Sequence, residues 1–300
     1  MKLKAISILF VGLFLITANL KAQDLMDMLG DSKSQTVDYA TATFKTTRLV
    51  TGESVENPAN GVLLFLISHR FGQMNSGAYE LFGLDQSTIR FGLEYGINDR
   101  LAVGVGRSSY QKDFDGFVKY KVLRQSSGKR NMPVSLSYFA GADVNTLKWQ
   151  YPERPNHTSS RYSYVHQLLL ARKMTSMLSL QIMPTVVHKN LVATTGDKND
   201  MYAVGGGGRY KFTNRASINA EYYYVLPNQT VNSYSNCLSL GFDVETGGHV
   251  FQLIFTNAKP MFERGFITEN TGKWSKGDIY FGFNISRVFT IKKPKAYKES

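Results

Sequence analysis

Five histidines are the residues of this sequence best suited to metal binding or acid–base catalysis. They are His69, His157, His166, His188 and His249. No two of them have the short spacing at which one element presents two imidazoles to the same metal ion. The single cysteine, Cys237, excludes both a CxxC motif and an internal disulfide. We therefore expect no metal site and no cofactor.

The adjacent Ser68 and His69 are the one pair that suggests hydrolysis. A serine nucleophile needs a histidine within reach as its general base, and some outer-membrane barrels are hydrolases. His69, however, falls on the apolar side of an alternating segment, which favours a polar residue at a membrane interface. We predict that the protein is not an enzyme and assign no catalytic residue. An outer-membrane hydrolase is the less favoured alternative.

A run of four glycines, Gly205 to Gly208, resembles a phosphate-binding loop only in composition. It lacks the Lys-Ser/Thr that follows such a loop, and it lies inside a segment with strand alternation. Glycine at that place is better suited to relieving crowding inside a curved sheet.

The elements that position these residues are predicted to be β-strands. Between residues 87 and 97, Ile89, Phe91 and Leu93 alternate with Arg90 and Glu94, which is the two-residue period of a strand. Similar alternation recurs along the chain and predicts twelve strands. They lie near residues 61–71, 86–97, 100–108, 114–124, 133–143, 161–173, 177–188, 200–212, 215–226, 236–245, 248–256 and 279–291.

The spacers between these strands alternate between short and long. The short ones include residues 98–100, 174–177 and 213–215, whereas residues 144–160 and 257–278 are long. Outer-membrane barrels show this asymmetry, because their periplasmic turns are short and their outer loops are longer. The fold class predicted is therefore all-β, an antiparallel up-and-down transmembrane barrel of about twelve strands. A soluble secreted β-protein is the alternative.

In such a barrel the apolar faces meet lipid and the polar faces line the lumen. The charged residues predicted to line the lumen are Arg70, Arg90, Glu94, Lys119, Lys121, Arg209, Lys211, Glu221 and Asp243. Bases exceed acids in this set, so a mildly basic lumen is expected. Two interpretations stay open, an anion-attracting pore and a closed interior of salt bridges.

The N-terminal residues carry a signal of export, and the rest of the chain divides into three further segments. Residues 1–22 read as a signal peptide, with Lys2 and Lys4 before an apolar stretch too short to span a membrane. Residues 23–59, which include a helical pattern at 24–30, form an N-terminal periplasmic or lumenal segment. Residues 60–291 form the barrel, and residues 292–300 are a basic tail. The net charge of +12 does not imply a nucleic-acid partner in an exported chain.

Several stretches carry a resemblance to a known family. "ATFKTTRLVTGESVE", "ISHRFG", "LFGLDQSTIRFGLEYGINDRLAVGVGRSS" and "FDGFVKYKVLRQ" resemble an uncharacterised β-barrel family of Gram-negative outer membranes, a domain of unknown function. The resemblance implies a barrel in the outer membrane, with no catalytic residues to transfer. The family has charged residues at inward positions of the first strand, where this chain has Val62, Leu64 and Leu66. That departure predicts a less polar lumen beside this strand.

These observations lead to one functional prediction and its alternatives. We expect a pore or transport channel for small solutes in the outer membrane, with both termini periplasmic. The expected partners are outer-membrane lipid, the barrel-assembly machinery, a small anionic solute and a periplasmic protein, without nucleic acid. The main alternative is a closed structural or docking barrel that binds a partner protein.

Overall fold

The protein forms one closed antiparallel barrel of twelve strands. The structure, a computed structural model, describes residues 36–231 and 234–292. The barrel strands are β2 (Val62–Gln73), β3 (Ser87–Gly96), β4 (Leu101–Ser108), β5 (Phe114–Leu123), β7 (Ser135–Val144), β8 (Tyr162–Lys173), β9 (Leu178–Lys189), β10 (Asp200–Lys211), β11 (Ala216–Val225), β12 (Cys237–Thr246), β13 (His249–Thr256) and β14 (Tyr280–Thr290). The twelve-stranded barrel predicted from the alternation is confirmed.

The strands follow one another around the barrel in chain order. Each pairs with its sequence neighbour, β5 pairs with β7, and β14 closes the sheet by pairing with β2. Two further short strands, β1 (Val37–Tyr39) and β6 (Ser126–Gly128), form a separate two-stranded sheet. The signal peptide, the helical pattern at 24–30 and the tail beyond residue 292 lie outside the described residues.

Most short connections leave from one end of the barrel and most long ones from the other, with the link at 124–134 on the short side and that at 109–113 on the long side as exceptions. The turns at 97–100, 174–177, 212–215 and 247–248 leave from one end, which we call the short-turn end, together with residues 61 and 291. The links at 74–86, 145–161 and 257–279 leave from the other, the long-loop end. At the tight turn after β3, the Asn98 side chain accepts hydrogen bonds from the backbone N–H groups of Arg100 and Leu101.

The outward faces of the strands are apolar, whereas the inward faces carry most of the charged side chains together with an apolar group that includes Phe139, Leu169 and Met183. On β3 the alternation is sharp, because Arg90 is 1% exposed and Glu94 2%, whereas Phe91 is 47% exposed and Leu93 43%. A soluble fold buries its large apolar side chains instead. The exposed apolar belt is what a strand presents to lipid, so this wall is built to span a membrane.

Two chain segments that are not part of the wall enter its interior. The first, the N-terminal insert, is residues 42–57, in which Phe44, Leu49, Val50 and Val55 are at most 2% exposed. The second, the outer-loop insert, is residues 257–278 and contains the short helix α1 (Glu263–Thr268), all six residues of which are buried. Within the described residues no helix is long and apolar enough to cross a membrane.

Candidate functional site: the lumen and its two inserts

The N-terminal insert enters the lumen as a tight hairpin. Arg48 and Glu53 form an antiparallel bridge, and the backbone N–H of Leu49 donates to the carbonyl of Gly52 at 2.8 Å. At the tip, the N–H groups of Thr51 and Gly52 donate to the carboxylate of Glu221 on β11, at 2.7 and 3.1 Å. A carboxylate that accepts several backbone N–H groups satisfies donors that the hairpin itself leaves unpaired.

Amide side chains of the wall satisfy the remaining backbone groups of the hairpin. Gln181 accepts from the N–H of Val55 and donates to the carbonyl of Glu53, both at 2.8 Å. Gln252 donates to the carbonyl of Leu49 at 2.9 Å, and Asn284 donates to that of Val50 at 3.1 Å. Buried backbone N–H and C=O groups need hydrogen-bond partners, and these inward amides supply them in place of water.

Small residues of the wall make room for the apolar side chains of the hairpin. A Cβ placed on Gly207 would lie 2.5 Å from Leu49 Cδ2, and one on Gly241 would lie 3.2 Å from Val50 Cγ1. Gly205 and Gly207 of the glycine run therefore relieve crowding within the barrel, and part of what Gly207 accommodates is the insert. A side chain at Gly207 would meet both the insert and the carbonyl of Ala220.

A buried group of five charged residues, the central cluster, joins the insert, the wall and helix α1. Its members are Arg48, Glu53, Glu94, Lys119 and Glu263. Arg48 lies 2.9 Å from Glu53, 3.9 Å from Glu94 and 2.5 Å from Glu263, and Lys119 lies 2.7 Å from Glu53. Arg48 thus links the two inserts directly, and Lys119 links the N-terminal insert to β5.

Apolar contacts hold α1 against the wall. Phe262, Phe266 and Ile267 are at most 1% exposed, and the ring of Phe266 packs edge-on against that of Tyr223 with centroids 5.2 Å apart. The Tyr223 hydroxyl donates to Met183 Sδ at 3.2 Å. Burial of such side chains stabilises the packed position by about 2 kcal/mol each.

A second ionic group, the outer cluster, fixes the outer-loop insert at the long-loop end. Its members are Asp113, Asp143, Lys189, Arg264 and Glu269. Arg264 pairs with Asp113 at 2.6 Å, with Glu269 at 2.7 Å and also with Asp143. Lys189 on β9 pairs with Glu269 at 2.9 Å. The insert is therefore held to β7, β9 and the link after β4 by ion pairs with little exposure to solvent.

Each cluster contains one more carboxyl than it has cations, and the pKa values reflect this. Burial raises the pKa of Glu263 to about 7, and Arg48 offsets only part of that effect. Burial likewise raises the pKa of Asp113 to about 7 against the opposing effect of Arg264. For Glu269, Arg264 and Lys189 together outweigh burial and lower the pKa. A buried carboxyl left without a full cation is expected to take up a proton in this way.

The nine charged residues expected in the lumen are placed as follows. Arg70, Arg90, Glu94, Lys119, Arg209, Glu221 and Asp243 are at most 3% exposed, and Lys121 and Lys211 are partly exposed near the short-turn end. Arg90 and Glu94 do not pair with each other, because Arg90 pairs with Asp115 and Glu94 lies beside Arg48. Ser217 donates to Asp243 at 3.4 Å.

The excess of bases expected from the strands alone is offset in this structure. Further buried or half-buried carboxylates reach the same interior from the inserts, the links and the wall. They are Glu53, Glu56, Asp113, Asp115, Asp143, Glu263 and Glu269, against the additional cations Arg48, Lys189 and Arg264. The charges in the closed lumen are therefore close to balanced.

Ser68 and His69 face opposite sides of the barrel wall. Ser68 is 5% exposed and lies on the lumen side, whereas the His69 ring stacks on Phe283 of β14 on the outer side, with centroids 5.0 Å apart. Adjacent residues of a strand point to opposite faces. The serine hydroxyl and the imidazole therefore cannot act on each other as nucleophile and base.

The interior is filled at its middle by the two inserts, and cavities lie toward both ends, including one of ≈ 220 Å³ at the long-loop end between Met201, Tyr234 and Thr268. A cavity between Phe117, Phe139 and Arg264 measures ≈ 10 Å³. At the short-turn end a cavity of ≈ 420 Å³ lies between Phe44 and the wall residues that include Val62 and Leu64. The apolar inward residues of β2 thus face the N-terminal insert.

Sequence reasoning missed the residues of the two inserts that close the lumen. Arg48 and Glu53 fall in an extended, poorly alternating stretch, and Glu263 and Arg264 fall in a region expected to be an outer loop. A signal was present in the second case, because an exposed loop has no reason to carry Phe262, Phe266 and Ile267 within six residues.

Comparison with known protein families gives one match that covers most of the chain. A family model described as "Membrane bound beta barrel domain (DUF5777)" matches residues 44–289. The matched region begins inside the N-terminal insert and ends in β14, so it contains nearly all of both inserts and of the wall. None of the curated proteins matches the chain.

Solved structures show a general likeness at low sequence identity. The NanC porin has 10% identity and a TM-score of 0.46, covering 76% of this chain and 98% of that one. The KdgM porin has 12% identity and a TM-score of 0.46, covering 75% and 99%. The COG4313 outer membrane channel from Pseudomonas putida F1 has 11% identity and a TM-score of 0.48, covering 78% and 97%.

Proposed function

This chain belongs to the family of membrane-bound β-barrel domains, and on that premise we propose that it is a gated pore for small solutes in the outer membrane. Its closed state is the structure described above, with both inserts inside the lumen. Opening requires that the inserts leave the middle of the barrel. The wall remains intact in both states, because its strands pair with one another and not with the inserts.

The observation that carries this proposal is the way in which the lumen is filled. A barrel that only needs a solid interior can fill it with wall side chains, as small barrels do. Here the middle is filled by two separate segments, whose contacts to the wall are mainly side-chain hydrogen bonds, ion pairs and a few apolar contacts. Such contacts can be replaced by contacts with water without breaking the backbone hydrogen bonds that join the barrel strands.

The sorted connections support the proposed orientation. Short turns are periplasmic in outer-membrane barrels, and residues 61 and 291 lie at the short-turn end. Both termini are then periplasmic, and the N-terminal insert enters from that side. The long loops, including the outer-loop insert, face the exterior. Assembly of such a wall would use the barrel-assembly machinery.

Conductance in planar bilayers tests the proposal. Arg48→Ala removes the residue that links the two inserts and the wall. We expect it to increase the open probability by about tenfold or more over that of the native protein. A decrease of about 1.4 kcal/mol in the free energy that favours the closed state corresponds to that factor. Arg215→Ala, which removes an exposed arginine at a short turn, is the matched control and should behave as the native protein does.

Folding must be verified separately in each variant by heat-modifiable migration on gels. If correctly folded native and Arg48→Ala proteins both fail to conduct ions, the pore proposal is wrong. An equal increase with Arg215→Ala would show that the change is unrelated to the insert.

A closed docking barrel is the second candidate, and the burial of both inserts inside the lumen favours it. In that case the two-stranded sheet of β1 and β6 at the short-turn end is the natural contact for a periplasmic protein. A stable partner that purifies with a non-conducting barrel would support this candidate over the pore.

A further inference from the structure

Two glutamates of the N-terminal insert cover two lysines of one strand. Lys119 and Lys121 lie on the inward face of β5, two residues apart, which corresponds to about 7 Å along a strand. Glu53 lies 2.7 Å from the Lys119 ammonium, and Glu56 lies 3.4 Å from that of Lys121. The insert thus presents two carboxylates to a pair of cations at matching spacing.

The wall residues paired directly with these lysines carry no charge. In the barrel register Lys119 pairs with Ala102 and Phe139, and Lys121 pairs with Ser137. The carboxylate on the same face of β5, Asp115, is already paired with Arg90. The ion pairs that the two lysines make are therefore those with the insert.

Departure of the insert leaves this part of the lumen positively charged. The wall cations it now contacts are Lys119, Lys121, Arg70 through Thr51, and Arg209 through the carbonyl of Ala42. The wall carboxylates it contacts are Glu221, Glu94 and, through Lys45, Glu245. Glu94 loses Arg48 when the insert leaves and can turn toward Lys119, yet cations still outnumber carboxylates.

We propose that the open pore binds small organic anions with two carboxylates at the Lys119–Lys121 pair, and that Glu53 and Glu56 occupy this pair when the pore is closed. The proposal rests on the gated pore proposed above and names its solute class. The insert is then both a plug and an internal competitor of the solute. Two cations at fixed spacing favour a dicarboxylate over a monocarboxylate, because the second contact is intramolecular.

The test compares two full-length variants in planar bilayers, with adipate as the probe and potassium as its counterion. Glu53→Gln/Glu56→Gln uncovers the lysines. Adding Lys119→Gln and Lys121→Gln to it removes the two cations while keeping polar side chains that can hydrogen-bond to one another. We expect the permeability ratio of adipate to potassium to be about tenfold higher in the double variant than in the quadruple one.

Lys148→Gln/Arg215→Gln in the background of the double variant is the matched control, because it also removes two positive charges, both at exposed residues outside the barrel strands. It should leave the ratio nearly unchanged. Equal ratios in the double and quadruple variants, with conduction in both, would overturn the lysine-pair proposal alone. Absence of conduction in all folded variants would overturn the pore and this proposal with it.

Discussion

At the residue scale, the interior depends on glycines that leave space for charged side chains. The guanidinium of Arg90 lies over Gly92 and Gly106, and a Cβ on Gly106 would overlap it. Arg90 is also held by two hydrogen bonds to Asp115. The glycine at position 106 therefore permits a buried ion pair whose partners lie on β3 and β5, across β4.

Gly106→Ala should consequently destabilise the barrel. The added methyl displaces Arg90 from Asp115, and overpacking of this kind costs about 1–3 kcal/mol. The urea midpoint of unfolding in detergent should fall accordingly. Gly206→Ala is the control, since a Cβ there meets nothing within 4 Å on the outward face of β10. Equal midpoints for the two variants would show that the close approach at Gly106 is unimportant.

At the element scale, the strands were predictable from the sequence, whereas the conformation of the inserts and the residues that hold them were not. Alternation places Ile89 and Phe91 outside and Arg90 inside without any knowledge of distant residues. The hairpin at 47–54 has no such period, because its conformation is set by Glu221, Gln181 and other wall residues far away in the sequence. Helix α1 spans six residues, too few for a helical period to be recognised.

Helix α1 should detach from the wall when its arginine is removed. Arg264→Gln eliminates the ion pairs to Asp113, Asp143 and Glu269, while the barrel ladders remain. We expect amide hydrogen exchange in residues 263–268 to accelerate by roughly tenfold or more, with barrel strands unaffected. Lys276→Gln, a charge removal in the same loop, is the control. Unchanged exchange in both variants would contradict the role given to the outer cluster.

The outer-loop insert should also loosen as the pH rises from about 4 to about 7. The folded-state pKa of Asp113 is raised to about 7 by burial, from an ordinary value of 3.8. A carboxyl with a raised pKa binds its proton more tightly when the insert is docked. Its contribution to the stability of the docked insert therefore falls as the pH rises toward the raised pKa. The pKa of Glu269 is lowered, so its contribution is lost only at more acidic pH.

The measurement is hydrogen exchange of residues 263–268 at pH 5 and pH 8, corrected for the intrinsic rate. Exchange should be faster at pH 8 in the native protein, and Asp113→Asn should reduce this difference. A loop that is more protected at pH 8 would show that the ion pair with Arg264 outweighs the cost of burying the charge.

At the scale of the whole molecule, the barrel is a membrane-spanning wall around two segments that close it from opposite ends. The N-terminal insert reaches in from the short-turn end and the outer-loop insert from the long-loop end, and they meet at Arg48 and Glu263. Each insert can be displaced by a ligand or partner that acts from its own side of the membrane. The contact between them makes closure depend on both.

The native cysteine offers the most direct test of this account. Cys237 is fully buried, at the end of β12 next to the long loops, in the apolar cluster that includes Phe266 and Ile267. Its labelling by a charged maleimide in liposomes reports whether the lumen is open. The double variant Arg48→Ala/Arg264→Gln should label roughly tenfold or more faster than the native protein. Labelling of the native protein as fast as unfolded chain, or a folded double variant as unreactive as the native protein, would contradict closure by two displaceable segments.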